Sequence, residues 1–542
     1  MIVRYFTRIL FIVLVMSLAL SVSLQPARAQ SPDGKWSDFE NISNTPTAST
    51  FPCIVADTEG NVHVLWSEDV GGSMRNYLNN SDGTPILDPR GNHINNLAHA
   101  GNTLFYTRWD GKSWLEPIDV QTNLSGGILY PQAAIDLKGV MHVVWFGNLG
   151  GESQLYYSRV MADKAGSVRE WSQPLELADS ILSAYYPVDI TTDTTGGIHV
   201  LFSKIGSGPG AFVINSLDGG DTWSTPIQLY STSDERGIQE GISPVRLVSD
   251  PTGRLHASWT RYDVDGNGKA IFYSQSRDQG LTWTKPFEVA TWQAGWYEVD
   301  WLSVGVVGDE IHLVWEGSSL TALQAERISY DGGQTWGEPG YILPNLQGEN
   351  GFADLVTDSA NQLHLLVVKR GDPATLSHGV WYTSWEKDHW QDPILLGTND
   401  STLYSQATQL SEQSPQTLID LLRGTLTGNG LRYQKSVIVN GNELFTVVVN
   451  EWDGDIWSSH TTLSAPSVLP KPYPPLTYTP TLLPTQIQSG IQTPTPLPLQ
   501  QLSGIPINSG NNNPLTPVLI GVFSATLMII GIIAVWRISK RP

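Results

Sequence analysis

One repeated pattern governs the chain from about residue 31 to 463. An apolar strand leads into a turn with Asp and Gly, and a second strand centred on His follows. The pattern reads "FPCIVADTEGNVHVLW" from Phe51, "YPQAAIDLKGVMHVVW" from Tyr130, "YPVDITTDTTGGIHVLF" from Tyr186 and "SPVRLVSDPTGRLHASW" from Ser243. Looser copies start at Trp301 and Phe352. The central histidines are His63, His142, His199, His256, His312 and His364, separated by 79, 57, 57, 56 and 52 residues. A period near 55 residues with four short strands per unit predicts an all-β chain of propeller blades.

Each unit continues through a third strand to a turn that ends in Trp. Three of these turns, "SLDGGDTW" (Ser216 to Trp223), "SRDQGLTW" (Ser276 to Trp283) and "SYDGGQTW" (Ser329 to Trp336), match S-x-D-x-G-x-T-W. Reduced forms end at Trp114, Trp390 and Trp457. A Pro and a fourth strand follow most of them, as in "WSTPIQL" and "WTKPFEV". Asp218, Asp278 and Asp331 suit tight turns in which a carboxylate accepts backbone N–H bonds, with Trp223, Trp283 and Trp336 as anchors. One acid per blade cannot converge on one substrate, so these positions read as structural. The histidines fail as metal ligands for the same reason, because a radial array keeps them apart; they are expected to be hydrogen-bonded between blades.

In these boxes the chain resembles the sialidase (neuraminidase) superfamily and its Asp-box, or BNR-repeat, relatives, over about Ser31 to Leu463. The resemblance implies an extracellular β-propeller, six-bladed in the sialidases, with the boxes on the face away from the active site. It also implies a catalytic set of three arginines that clamp a carboxylate, a Tyr activated by a Glu, and an Asp acid/base. The first arginine belongs to an Arg-Ile-Pro motif opening blade one. This chain has "TFPCI" there, with no arginine.

Six units are clear, and a degenerate seventh would start near Tyr404 with "TLIDLLRG" as its second strand. "KWSDFENIS" reads as a lone fourth strand able to close the ring. Trp457 offers the last blade a fourth strand as well. Seven blades are the expectation, with six as the alternative. Composition agrees: Trp 20, Tyr 19, Gly 51 and Pro 34 suit strands and turns, and 15% charged residues argue against a coiled coil.

The ends read differently. Residues 1–29 resemble a secretory signal, with Arg4 and Arg8, an apolar core and "ARA" before Gln30. The propeller is expected over 30–463. Residues 464–514 are rich in Pro and Thr and read as an extended stalk. Residues 515–536 contain an uncharged run long enough to span a bilayer, and the basic tail 537–542 would stay in the cytoplasm. The expected layout is an exported propeller on a stalk, held in the cell membrane by one helix. A net charge of −21 repels phosphate backbones and argues against nucleic acid. With Cys53 as the single cysteine there is no intramolecular disulfide.

In a propeller the connections between second and third strands, and between blades, share one face, and function sits on such loops. The candidates there are Glu68, Lys204, Arg261, Glu316, Arg370 and Arg423, with the aromatics Phe51, Tyr130, Tyr185, Trp296, Tyr297, Trp301 and Tyr404. Tyr297-Glu298 is a two-residue match to the Tyr/Glu pair. Aromatic faces stack on sugars, and arginines pair with carboxylates. No cofactor is required, but Asp263, Asp265, Asn267 and Gly268 fit D-x-[DN]-x-[DN]-G, the opening of a calcium loop, without its closing Glu. The sequence thus points to a glycan- or surface-ligand-binding propeller without turnover. An exo-α-sialidase or related glycoside hydrolase is the alternative, and a cell-envelope scaffold the second.

Overall fold

The second strand of each repeat is apolar almost without alternation, as in Val62–Glu68, where every residue is buried. A strand buried on both faces must lie between two other layers. In the computed structural model those layers are neighbouring blades. The structure describes residues 35–70, 103–122, 127–149, 152–179, 187–204, 208–232, 241–263, 267–292, 299–316, 323–346, 349–370, 379–397, 431–450 and 454–468. The signal-like segment 1–29, nearly all of the stalk 464–514, the apolar segment 515–536 and the tail 537–542 lie outside the described residues. Among the described residues no helix is long and apolar enough to cross a membrane.

The strands form seven antiparallel sheets. Blade 1 runs Ser49–Ala56, Val62–Glu68, Thr103–Trp109 and Ile118–Thr122, from the channel outward. Blades 2 to 6 repeat this order, with inner strands Ile128–Ile135, Val188–Thr192, Gly241–Ser249, Ser303–Val307 and Glu349–Thr357. Blade 7 takes Leu431–Val439, Glu443–Asn450 and Asp455–Thr462 from the end of the propeller, and Glu40–Asn41 from its beginning as the outermost strand. The N-terminal segment therefore closes the ring as expected, and the count is seven.

Two details of blade 7 differ from the sequence reading. Its second strand is Glu443–Asn450, and "TLIDLLRG" lies outside the described residues. Trp457 sits in the third strand, opposite Asn41 and Val448, and ends no Asp-box turn. Weak periodicity in this unit, which has Phe445 where the others have His, hid the register.

Four inner strands carry a β-bulge at an aromatic residue in left-handed backbone: Phe51 (φ 53°), Tyr130 (φ 52°), Phe352 (φ 113°) and Tyr433 (φ 54°). Such backbone costs about 1–3 kcal/mol per residue. What offsets it is mutual ring packing. Tyr130 meets Phe51 at 4.3 Å, Phe51 meets Tyr433 at 4.8 Å, Tyr433 meets Phe352 at 5.3 Å, and Phe352 meets Trp301 at 4.3 Å. An arc of five aromatics thus spans the inner ends of blades 5, 6, 7, 1 and 2.

Next along each inner strand the register aligns Cys53, Gln132, Asp189, Arg246, Ser303, Asp354 and Lys435, one from every blade. Three of these side chains reach the next blade's backbone. Leu247 N–H donates to Asp189 Oδ2 (2.9 Å), Leu355 N–H to Ser303 Oγ (3.1 Å) and Ser436 N–H to Asp354 Oδ2 (2.6 Å). Burial pushes the Cys53 thiol up to about 12, so it stays protonated. Burial also lowers the Lys435 ammonium and raises the Asp354 carboxyl, while each opposes the other's shift.

Candidate functional site

The propeller has two unlike faces, and the short turns define one of them. Here an Asp from the turn between first and second strands meets the second-strand His, which meets a third-strand side chain. Asp57–His63–Tyr106 has distances of 3.1 and 2.8 Å, and Asp358–His364–Tyr382 has 3.2 and 2.8 Å. Asp193–His199–Asn215 has 3.0 and 2.8 Å, and Asp136–His142–Tyr157 and Asp250–His256–Tyr273 repeat the pattern. Blade 5 uses Glu310 and Glu326 around His312. These histidines thus tie strands within a blade rather than between blades. Burial pushes the Asp193 carboxyl up, but hydrogen bonds from His199, Thr195 and Gly197 outweigh it and hold it at about 2.

The Asp-boxes carry the link between blades. Asp218, Asp278 and Asp331 accept the Thr222, Thr282 and Thr335 N–H groups at 2.9, 2.9 and 2.8 Å, and each also accepts its box Ser hydroxyl. Trp223 and Trp336 pack edge to face on Tyr157 and Tyr273 of the preceding blades. Trp283 donates to Gly280 O and packs in the core shared with blade 3. The boxes are structural, as read from sequence, but each Trp is half-buried and anchors to the neighbour rather than its own blade. The described chain also leaves on this face, where Val468 N–H donates to Asn440 O.

The opposite face carries the longer connections, and most of them lie outside the described residues. Tyr185, Trp296, Tyr297, Glu298, Tyr404 and Arg423 lie outside the described residues, as does most of the insertion 69–102. Arg370 ends the second strand of blade 6, opposite Glu349. Arg261 is half-buried near the end of the second strand of blade 4, opposite Ile242 and Ala270.

Two candidates near this face are taken up by partners within the protein. Glu68 is fully buried and accepts from Thr45, Thr47, Ser49 and Trp66, so it braces the chain leading into blade 1. Glu316 is fully buried and ion-paired with the equally buried Lys369, joining blades 5 and 6. Phe51 and Tyr130 belong to the channel arc and are 6% and 7% exposed, too little for sugar stacking. Sequence alone shows a charge at a strand end, not whether neighbouring hydroxyls or an ammonium absorb it.

In the calcium-like turn, the Asp263 carboxylate accepts from Asn267 N–H (2.9 Å) and pairs with Lys269 Nζ (3.0 Å). Burial opposes the shift, but these bonds hold Asp263 at about 2. Asp265 lies outside the described residues. Lys269 also sits 4.8 Å over the Trp292 ring.

Sequence reasoning missed Asp300 and Tyr262. The Tyr262 hydroxyl donates to Asp300 Oδ1, joining blade 4 to the start of blade 5. Trp301 N–H donates to the same oxygen at 2.8 Å. Asp300 is 4% exposed, and burial pushes its carboxyl up to about 7. The signal was a lone acid preceding an inner strand, which periodicity does not rank.

No protein-family model matches the sequence, and no curated protein sequence matches it. Among solved structures, the chain is similar to a Dyadobacter fermentans protein of unknown function, at 16% identity and a TM-score of 0.46 over 80% of this chain and 100% of that one. It is similar to the BP39L lectin of Burkholderia pseudomallei, at 10% identity and a TM-score of 0.49 over 78% and 98%. It is also similar to the NanB sialidase of Streptococcus pneumoniae, at 13% identity and a TM-score of 0.38 over 79% and 70%.

Proposed function

We propose that this chain is an exported, membrane-anchored propeller that binds a glycan or another surface ligand on its loop face, without turnover. The division of labour between the faces carries this reading. On the turn face, the repeated His and Asp-box residues are consumed by hydrogen bonds within blades and contacts between them. On the loop face, Tyr262, Asp300 and Trp301 meet where blade 4 adjoins the start of blade 5, and Arg261 precedes Tyr262 on the same strand. That set offers an aromatic ring beside groups able to donate and accept hydrogen bonds, which is what sugar recognition needs. The point where the described chain leaves, near Val468, is on the turn face and away from these residues. The signal-like and apolar end segments support export and anchoring.

The test is a glycan array probed with the full-length chain in detergent. Retention of a defined set of glycans, weakened by Arg261→Ala, is the expected result. Buried Asp300 favours glycoside hydrolysis as a second reading, since an acid that keeps its proton near neutrality can protonate a leaving oxygen. Turnover of a fluorogenic sialoside that is abolished in Arg261→Ala would replace binding with hydrolysis.

A further inference from the structure

Three buried carboxyl groups stand near the loop face, and they are handled differently. Glu68 is satisfied by four donors, and Glu316 is neutralised by Lys369. Asp300 has neither solution. Its two donors, Tyr262 Oη and Trp301 N–H, both converge on Oδ1. Among the described residues Oδ2 has no protein partner, yet it is not among the sealed polar atoms. Oδ2 is thus the oxygen left for a further partner, in a residue that is only 4% exposed.

An ionised Asp300 would hold its charge in a site only 4% exposed, with hydrogen bonds to one oxygen alone, at a cost of several kcal/mol. The group keeps its proton instead, up to about pH 7. Oδ1 already accepts two hydrogen bonds, so the proton resides on Oδ2. The result is an O–H donor that no described residue uses. The groups packed around it leave that assignment in place. Tyr262 comes from the second strand of blade 4 and contributes its hydroxyl. Gly268 closes against Val299 from the third strand, and the neighbouring Lys269 ammonium is taken by Asp263. Glu316 contributes its backbone carbonyl to Asp300 N–H (3.1 Å), while its carboxylate faces Lys369. The next residue, Trp301, is the end member of the aromatic arc.

We propose that Asp300 is a ligand-contacting residue of the loop face, donating a hydrogen bond from Oδ2 to an uncharged oxygen of a glycan bound beside Trp301. This rests on the glycan-binding reading above. The ligand class is a neutral sugar segment presenting a hydroxyl or ether oxygen. Ionised Asp300 cannot donate, so binding weakens once the proton is lost.

The test uses the full-length chain and an array of neutral and acidic oligosaccharides between pH 5.5 and 8.5. For a neutral oligosaccharide retained at pH 6, affinity should fall toward tenfold per pH unit above about 7, the slope of a one-proton linkage. Asp300→Asn keeps an acceptor for Tyr262 and Trp301 and places a permanent N–H donor at the Oδ2 position. It should bind with the wild-type affinity of pH 6 at every pH. Asp300→Ala should bind at least tenfold more weakly throughout, with its fold checked by circular dichroism. Wild-type binding that is flat with pH overturns the proposal while leaving glycan binding intact, as does an Asp300→Asn variant with the wild-type pH profile. Failure to retain any glycan at any pH overturns the binding reading and this proposal with it.

Discussion

Tyr273 of blade 4 lies edge to face against Trp336 of blade 5, with ring centroids 5.1 Å apart and planes at 70°. The same Tyr is hydrogen-bonded through its hydroxyl to His256 Nδ1 at 2.7 Å. A single side chain therefore connects the His of one blade to the Asp-box of the next. Tyr157 repeats both contacts between blades 2 and 3, with His142 and Trp223. The turn face is thus cross-linked by side chains as well as by packing.

This geometry sets the cost of breaking the link. Trp336→Ala removes a half-buried ring, so the loss should be about 2–3 kcal/mol, below the 3–5 of a fully buried aromatic. Tyr273→Phe keeps the ring contact and leaves buried His256 Nδ1 without its partner, costing about 1–3 kcal/mol. Urea unfolding of both variants checks this. Ligand binding on the opposite face should be unchanged in each. A Trp336→Ala variant of wild-type stability would remove the box from the inter-blade contact.

Ring closure makes a second prediction. Asp455 accepts from Asn41 Nδ2 (2.8 Å) and Ser43 Oγ (3.2 Å), two residues of the N-terminal segment. Trp36 packs on Tyr382 at 5.4 Å and fixes the same segment to blade 6. Only a two-residue strand completes blade 7, so these side chains matter more than the ladder. Asp455→Ala should leave the two donors unpaired and cost about 2–3 kcal/mol. Hydrogen exchange should report it as faster exchange in 455–462, with blades 2 to 4 unaffected. Uniform acceleration over the whole propeller would mean that closure is not local.

What sequence made legible follows from period and turn chemistry. The His-centred strands and S-x-D-x-G-x-T-W turns repeat at fixed spacing, so blades 1 to 6 and the structural role of Asp218, Asp278 and Asp331 were readable. Blade 7 was half-readable: "KWSDFENIS" announced an orphan strand, but Phe445 in place of His hid where the partner strands lay. Site residues were the weakest part because exposure depends on neighbours far away in sequence. Glu68 is enclosed by Thr45 and Thr47, and Glu316 by Lys369 of the next blade. Asp300 became conspicuous only once Tyr262, 38 residues earlier, was seen to reach it.

Asp300 also shapes the dependence of stability on pH. Its carboxyl titrates near 3.8 in an unfolded chain and near 7 when folded. Between those values the native state holds a proton that the unfolded state has released. The stabilisation is complete below about pH 4, and it is lost as pH rises toward 7, at about 1.4 kcal/mol per unit. The full loss is about 4 kcal/mol. Asp300→Asn has no such term, so it should match the wild type near pH 4 and exceed it at pH 8. Denaturant midpoints at the two pH values measure the difference. An equal gap between variant and wild type at both would show that Asp300 ionises normally.

The last prediction concerns the turn at Asp263. A calcium ion there would need the Asp263 carboxylate, and Lys269 Nζ already lies 3.0 Å from Asp263 Oδ2. The two cations compete for one acceptor, and the ammonium is also held over Trp292. Removing the ammonium should favour the metal: Lys269→Gln frees the carboxylate while keeping most of the side-chain length. If the D-x-[DN]-x-[DN]-G turn binds calcium, the melting temperature should rise with added calcium by mass action. The rise should be larger in Lys269→Gln than in the wild type and absent in Asp265→Ala. A wild type and Lys269→Gln variant that both melt identically in calcium and in chelator would leave Asp263 as the acceptor of an ordinary Asx turn, held by Asn267 and Lys269.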